Sequence, residues 1–168
     1  GYVDNFVGWD VSYNDNNPFP QSADYDHGTL VAGCVSASTN NNLGVASVGW
    51  SVKLMGVNNS TDPETVTDGY DGVLAAAQMG ADVINMSWGG SGGGAQNIMN
   101  VVYNDYGCIL VASAGNGDED GNTDFAFHTP SGLDNVISVS AVGPNDIFGC
   151  WATGGTTVDL CAPGESII

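Results

Sequence analysis

The stretch Cys108-Ile109-Leu110-Val111-Ala112-Ser113-Ala114-Gly115-Asn116 is an unbroken apolar run that ends in small residues and an asparagine. Such a run is typical of a strand covered on both faces, as in a parallel sheet. An asparagine directly after it lies where the carboxyl ends of parallel strands carry binding and catalytic groups. The stretch therefore predicts an α/β domain with a site at this end of its sheet.

Similar strands alternate with amphipathic helices along the rest of the chain. Further strands are predicted over residues 52–57, 81–86 and 136–142. One helix is predicted to start at His27, and a weaker one covers residues 98–105. A second helix has an apolar face formed by Val66, Tyr70, Val73, Leu74 and Ala77. This alternation favours an α/β fold with a mostly parallel sheet.

The charge balance excludes several classes of partner. Among 168 residues there are 19 Asp and Glu and one cation, Lys53, which gives a formal net charge of −18. Binding to nucleic acid or to an anionic membrane requires cations, and we expect neither. No apolar run approaches the roughly 18 residues of a membrane span. So many unpaired carboxylates suit a saline or calcium-bearing extracellular medium, which favours a secreted protein.

The four cysteines do not form a metal-binding pattern. None is in a Cys-x-x-Cys pair, so a structural zinc site is not expected. Cys34 and Cys108 lie in apolar runs and are predicted to be small core residues, with a disulfide as the alternative. Cys150 and Cys161 flank a Gly-rich turn and could pair in an oxidising compartment.

Two polar loops allow two interpretations. Asn and Asp are common turn residues, but their oxygens are also the ligands that calcium prefers. A structural calcium ion is therefore possible, although no cofactor is expected for chemistry. The candidate ligands are Asn40, Asn41, Asn42, Asp118 and Asp120.

Three short motifs carry the chemistry of the chain. They are His27-Gly28-Thr29-Leu30-Val31-Ala32-Gly33, Asn85-Met86-Ser87-Trp88-Gly89-Gly90 and Ala114-Gly115-Asn116. A histidine can act as a general base, and an amide at a strand end can donate to a developing oxyanion. Thr29 is a candidate cap for the helix that follows His27. In this order and spacing the motifs resemble those of the subtilisin-like serine proteases, the subtilases. Gly44-Val45-Ala46 and the segment 158–164 match two more segments of that family, so the resemblance covers essentially the whole chain.

The resemblance implies a three-layer α/β/α fold, and residues 1–168 would form part of its catalytic domain. It also implies a secreted endopeptidase that acts on proteins or peptides. It implies that His27 is the general base of an Asp-His-Ser triad and that Asn116 is the oxyanion donor. His128 would lie near the floor of the specificity pocket, but a structural role is favoured for it. Thr129-Pro130 matches a position where the peptide bond is often cis. The implied substrate-binding residues are Ser87, Trp88 and Gly89 beside the substrate backbone, Ser113, Ala114 and Gly115 in the pocket wall, and Asp62, Glu64 and Val66 near the opposite substrate edge.

Two family elements do not occur in the sequence. The catalytic Asp of the family lies on a strand upstream of the matched region, and the catalytic Ser lies in a Gly-Thr-Ser-Met-Ala block beyond Ala162-Pro163-Gly164. We therefore expect an internal fragment that is inactive alone, with its sheet completed by missing segments of the same domain or by another copy. The alternatives are a non-catalytic pseudoprotease and a calcium- or salt-dependent acidic interaction domain on the same fold.

Overall fold

A computed structural model describes residues 2, 6–22, 26–91, 93–117, 128–149 and 151–167. The chain divides into two compact units, Gly1–Met79 and Gly80–Ile168, and each is described by itself. Within the described ranges, no helix has the length and apolar character needed to cross a membrane.

The first unit contains two short parallel strands and two helices. In chain order these are β1 (Gly8–Asp10), α1 (His27–Ser36), β2 (Gly56–Asn58) and α2 (Gly69–Gln78). Strand β1 pairs with β2 in parallel, with Trp9 opposite Val57. Helix α2 contacts β2, and its small apolar residues are buried.

A buried carboxylate links the two strands of this unit. The side chain of Asp10 is fully buried. One carboxylate oxygen accepts a hydrogen bond from the Tyr13 N–H at 2.9 Å, and the other accepts one from Asn58 Nδ2 at 2.6 Å. These bonds replace water around the charge, which would otherwise make its burial costly.

The second unit is built on a four-stranded parallel sheet. Its elements are β3 (Val83–Met86), β4 (Gly90–Ser91), α3 (Gln96–Asn104), β5 (Ile109–Ser113), β6 (His128–Thr129), β7 (Val136–Val142) and β8 (Leu160–Pro163). The sheet order is β3-β5-β7-β8, and β4 pairs with β6 in an antiparallel ribbon. The predicted α/β class with parallel strands is confirmed. Among the described strands, β2 pairs only with β1, and β3 pairs only with β5.

The core of the second unit lies on one face of this sheet. The register places Ile84, Leu110 and Val136 side by side on β3, β5 and β7, and all three are buried. Helix α3 contacts β5 and contributes Met99 and Val102, which are fully buried.

The other face of the sheet is exposed within the described part of the chain. Val83, Ile109 and Ile137 have exposed fractions of 55%, 50% and 37%. The described residues therefore do not supply the cover that the sequence predicts for this second face. Because successive strand residues point to opposite sides, an unbroken apolar run shows that both faces are apolar, but not that another element packs against each of them.

Helix α1 begins at His27 as predicted, but its cap and burial differ from the prediction. The N-cap is Asp26, not Thr29, and no residue of the helix is buried. Cys34 is consequently exposed, so its predicted core role is wrong, whereas Cys108 is buried as predicted. The Cys108 thiol donates to the Ala81 carbonyl at 3.0 Å. Cys161 has a free thiol, and Cys150 lies outside the described residues.

Two other predicted elements are shorter than expected. The strand predicted over 52–57 is formed only at Gly56–Asn58, and α2 starts at Gly69, so Val66 precedes the helix. Hydrogen bonds from Ser60 to the carbonyls of Asp62 and Thr65 close the intervening segment into a turn. This turn delays the start of the helix.

The one-sided core yields a stability prediction. We expect Leu110→Ala to lower the free energy of unfolding by about 2–5 kcal/mol, because Leu110 is buried and truncation leaves a cavity. Ile109→Ala, on the exposed face of the same strand, is the matched control and should cost less than half as much. Denaturant titration followed by circular dichroism measures both values. Equal losses would contradict packing on one face.

Candidate active site

The carboxyl ends of β3 and β5 open into a cavity of about 360 Å³. Because the two strands are adjacent and parallel, the segments that follow them leave the sheet at the same end. The cavity is lined by Ser87, Trp88, Gly89, Gly90, Ser113, Gly115, Asn116, Gly117 and His128. Most of the residues expected at the substrate site therefore lie together within one unit.

Asn116 lies at the rim of this cavity. Its side chain is exposed, and it follows Gly115, which has a φ of +103°. Side chains rarely tolerate this conformation, so glycine allows the chain to turn sharply after β5. The turn leaves a neutral amide, which carries two N–H donors, beside the cavity.

His128 forms a buried part of the cavity wall. Its exposed fraction is 7%, and its Nδ1 lies 2.7 Å from the Oγ of Ser131. Burial lowers the pKa of His128 below the ordinary value of 6.5. The ring is therefore mostly neutral at pH 7. The following Thr129-Pro130 peptide bond is cis, as the resemblance implies.

Two glycines make room for this ring. A Cβ added to Gly89 would overlap His128 Cε1, and one added to Gly115 would lie 3.1 Å from His128 Nε2. The imidazole therefore occupies the space that side chains at both positions would need. The sequence favoured a structural role for His128, and the structure places the residue both in the core and at the cavity.

Five other predicted catalytic or substrate-binding residues, all within the described part of the chain, are not among the residues that line this cavity. Ala114 is buried and donates its N–H to the Val139 carbonyl at 2.8 Å. His27 is exposed at the start of α1 in the first unit. The same unit contains the loop with Asp62, Glu64 and Val66.

The Asp62 carboxylate is hydrogen-bonded to backbone N–H groups of its own loop. It accepts hydrogen bonds from the N–H groups of Glu64 at 2.8 Å and Thr65 at 3.0 Å. These bonds, the one from Glu64 most of all, hold the pKa of Asp62 below its ordinary value. The carboxylate thus stabilises the turn that precedes α2.

The asparagine loop of the first unit has the geometry of a turn. Asn40 and Asn42 have φ values of +56° and +58°, and Asn41 Oδ1 accepts from the Leu43 N–H at 3.0 Å. The loop lines a cavity of about 190 Å³, and the wall residues that the structure describes include no carboxylate. Neutral oxygens alone lack the charge that calcium sites normally supply, so this donor set does not fit the ion by itself.

No other metal site is defined in the described part of the chain. Those residues contain no group of three or more His, Cys, Asp or Glu that could hold a metal ion. Asp118 and Asp120, the other candidate calcium ligands, lie outside the described residues.

Comparison with known proteins identifies the family. A model of the subtilase family, Peptidase_S8, matches residues 3–167. The chain belongs to the subtilase family, as the three motifs predicted. It is 37% identical to thermitase of Thermoactinomyces vulgaris, with 95% of this chain and 56% of thermitase aligned. It is 34% identical to halolysin of Haloferax mediterranei, with 96% of this chain and 31% of halolysin aligned.

Solved structures confirm the subtilisin-like fold. A protease of Pseudoalteromonas arctica matches with a TM-score of 0.71 at 35% identity, over 80% of this chain and 42% of that one. The psychrophilic subtilisin-like protease Apa1 of a Pseudoalteromonas species matches with a TM-score of 0.75 at 28% identity, over 95% of this chain and 40% of that one. The chain thus spans between about a third and just over half of these relatives.

Burial of His128 predicts a pH-dependent stability. Because the pKa of His128 is lower in the folded chain than its ordinary value of 6.5, the unfolded chain binds the proton more readily. The contribution of the neutral, buried His128 ring to the free energy of unfolding is fully present above the ordinary value of 6.5. It is lost as the pH falls through the lower pKa of the folded chain. We expect the free energy of unfolding to decrease from about pH 7 to about pH 5, and to decrease less in His128→Gln.

Ser131→Ala is the control for this prediction. It removes the contact of Ser131 with His128 Nδ1 but leaves the ring buried, so most of the pH dependence should remain. Asp62 and Asp68 also have lowered pKa values, but from an ordinary value of 3.8, so they titrate below this interval. The same pH dependence in the wild-type chain and in His128→Gln would contradict the assignment.

Proposed function

We propose that this chain supplies the general base and the oxyanion donor of a secreted serine endopeptidase that hydrolyses peptide bonds by an Asp-His-Ser triad. The observation that carries the proposal is the cavity at the ends of β3 and β5, with the Asn116 amide at its rim. Membership of the subtilase family supports the same activity. His27 takes the proton of the attacking serine and returns it to the leaving amine.

The segments around the cavity provide the substrate contacts in this proposal. Ser87, Trp88 and Gly89 follow β3 and pair with extended substrate backbone as an added strand. The segment Ser113-Ala114-Gly115 forms the facing wall, with Ser113 and Gly115 at the cavity surface. Asp62, Glu64 and Val66 contact the opposite edge of the substrate, an assignment that rests on the resemblance alone.

The chemistry of the lining indicates which substrate side chain the cavity accepts. The described lining residues include no Asp, Glu, Lys or Arg, and burial keeps His128 mostly neutral. A charged side chain would lose its hydration there without gaining a partner of opposite charge among these described residues. We therefore propose a preference for uncharged side chains.

Asn116 stabilises the charge that develops in this mechanism. Its amide donates to the oxygen that becomes negative when the serine attacks the substrate carbonyl. Loss of one such donor costs about 10²–10³ in kcat, a magnitude that was measured in a subtilisin.

The remaining triad groups are proposed to come from other segments of the same domain or from another copy. Residues 1–168 contain no Gly-Thr-Ser-Met-Ala block. Secretion is supported by the net charge of −18 and by relatives named as extracellular proteases in Natrialba magadii and Xanthomonas campestris.

The first test concerns turnover. The purified 168-residue chain should not release product from a peptide amide, because no acyl-enzyme forms without the nucleophilic serine. Product release that a serine-directed reagent abolishes would show that the nucleophile lies within these residues, against the proposal.

The second test concerns the oxyanion donor. A peptide with a free C-terminal carboxylate presents an anionic oxygen to Asn116, and its binding can be followed by NMR titration of the chain. We expect Asn116→Ala to weaken binding about 10-fold, as for loss of one hydrogen bond to a charged group. Asn97→Ala, at an exposed position of α3, is the matched control and should bind as the wild-type chain does. Equal affinities for both variants would contradict the role of Asn116.

A further inference from the structure

We infer that Thr153 is a positioning residue that holds Asn116 in place by hydrogen-bonding the residues on both sides of it. The Thr153 N–H donates to the Gly115 carbonyl at 3.2 Å, and Thr153 Oγ1 accepts from the Gly117 N–H at 3.0 Å. One residue thus bridges the chain immediately before and immediately after Asn116. The inference rests on the proposed role of Asn116 as the oxyanion donor.

Thr153 is itself fixed to the sheet. Its exposed fraction is 1%, and its carbonyl accepts a hydrogen bond from Ser140 Oγ. Ser140 lies on β7, which pairs in parallel with β5, the strand that leads into Asn116. The turn around Asn116 is therefore tied through Thr153 to the neighbouring strand.

The contact between Thr153 and the turn is close. A Cβ added to Gly115 would lie 3.1 Å from Thr153 Oγ1, so the hydroxyl packs directly against the glycine. Gly115 and Gly117 have no side chains with which to restrict their own backbone. Thr153 supplies that restriction from outside the turn.

A fixed backbone matters for an oxyanion donor. The donor must lie about 2.7–3.1 Å from the developing charge, and a shift of about 0.5 Å weakens the interaction. With both flanking peptide groups held, the remaining freedom of Asn116 lies mainly in its two side-chain torsions. Thr153 therefore acts on the reaction through Asn116, without touching the substrate.

The experiment separates the Thr153 hydroxyl from the volume of the side chain. Thr153→Val keeps the shape and removes the acceptor for Gly117, whereas Thr153→Ser keeps the acceptor. Ser138→Ala is the matched control, since it removes a hydroxyl of β7 that is equally buried and has no hydrogen-bond partner within the described chain. All variants are made in the full 168-residue chain.

Two measurements are compared across these variants. In Thr153→Val, hydrogen exchange of the Gly117 amide should be at least about 10-fold faster, because its buried acceptor is gone. Affinity for the peptide carboxylate should fall about 3- to 10-fold. Thr153→Ser and Ser138→Ala should retain both wild-type values.

The outcomes distinguish this inference from the proposed function. If Asn116→Ala weakens peptide binding and Thr153→Val does not, the positioning role is wrong and the oxyanion role stands. If neither variant changes the affinity, the oxyanion role fails, and the positioning role fails with it. Rapid exchange of the Gly117 amide in the wild-type chain would overturn the inference even if Thr153→Val did not fold.

Discussion

The parallel pairing of β3, β5 and β7 in one register is the constraint on which the site depends. The row of buried residues Ile84, Leu110 and Val136 sets which side of each strand faces the core. A slip of one residue would move a whole strand's buried side chains to the exposed face, so the packed face strongly favours a single register. The same register determines the level at which the chain leaves β3 and β5. The positions of Ser87 and Asn116 are therefore consequences of core packing.

Long apolar segments could be predicted from the sequence because their pattern is local. Strand β7 occupies the predicted residues 136–142, and α1 begins at the predicted His27. The exposure of Cys34 could not be predicted in this way, since it depends on what packs against α1. The late start of α2 depends on hydrogen bonds within the turn before it, which leave no periodic signal.

For the cavity too, the local sequence predicted some of the residues but not the contacts that support them. The motifs identified Ser87, Gly89 and Asn116, because each follows a recognisable strand, and the family resemblance added Ser113 at the end of β5. The contacts that support these residues come from distant parts of the chain. Thr153 bonds Gly117 across 36 residues, and nothing in its own neighbourhood marks it as part of the site. Propensity and spacing describe a segment alone, whereas such contacts exist only in the folded chain.

The acidic composition is accommodated by hydrogen bonds to uncharged donors. With Lys53 as the single cation, ion pairs cannot neutralise 19 acidic residues. Asp68 accepts from the hydroxyls of Ser12 and Thr67, and Asp159 accepts from the Ser138 N–H. Dissolved salt screens attraction between charges over about 10 Å at 0.1 M, and it affects such short contacts with neutral donors much less. The fold therefore has little ion-pair energy to lose in concentrated salt.

The close approach of His128 to two glycines has a consequence for the way this site can change. Positions 89, 115 and 128 share one volume, since a methyl group at either glycine would overlap or crowd the imidazole. A Cβ at position 89 would meet both the ring of His128 and the backbone carbonyl of Thr129, which would lie 2.6 Å away, so a smaller residue at position 128 relieves only part of the clash. Substitutions at positions 89 and 128 should therefore be non-additive, while the carbonyl of Thr129 and the φ of +103° at Gly115 keep both glycines in place even when the ring is smaller.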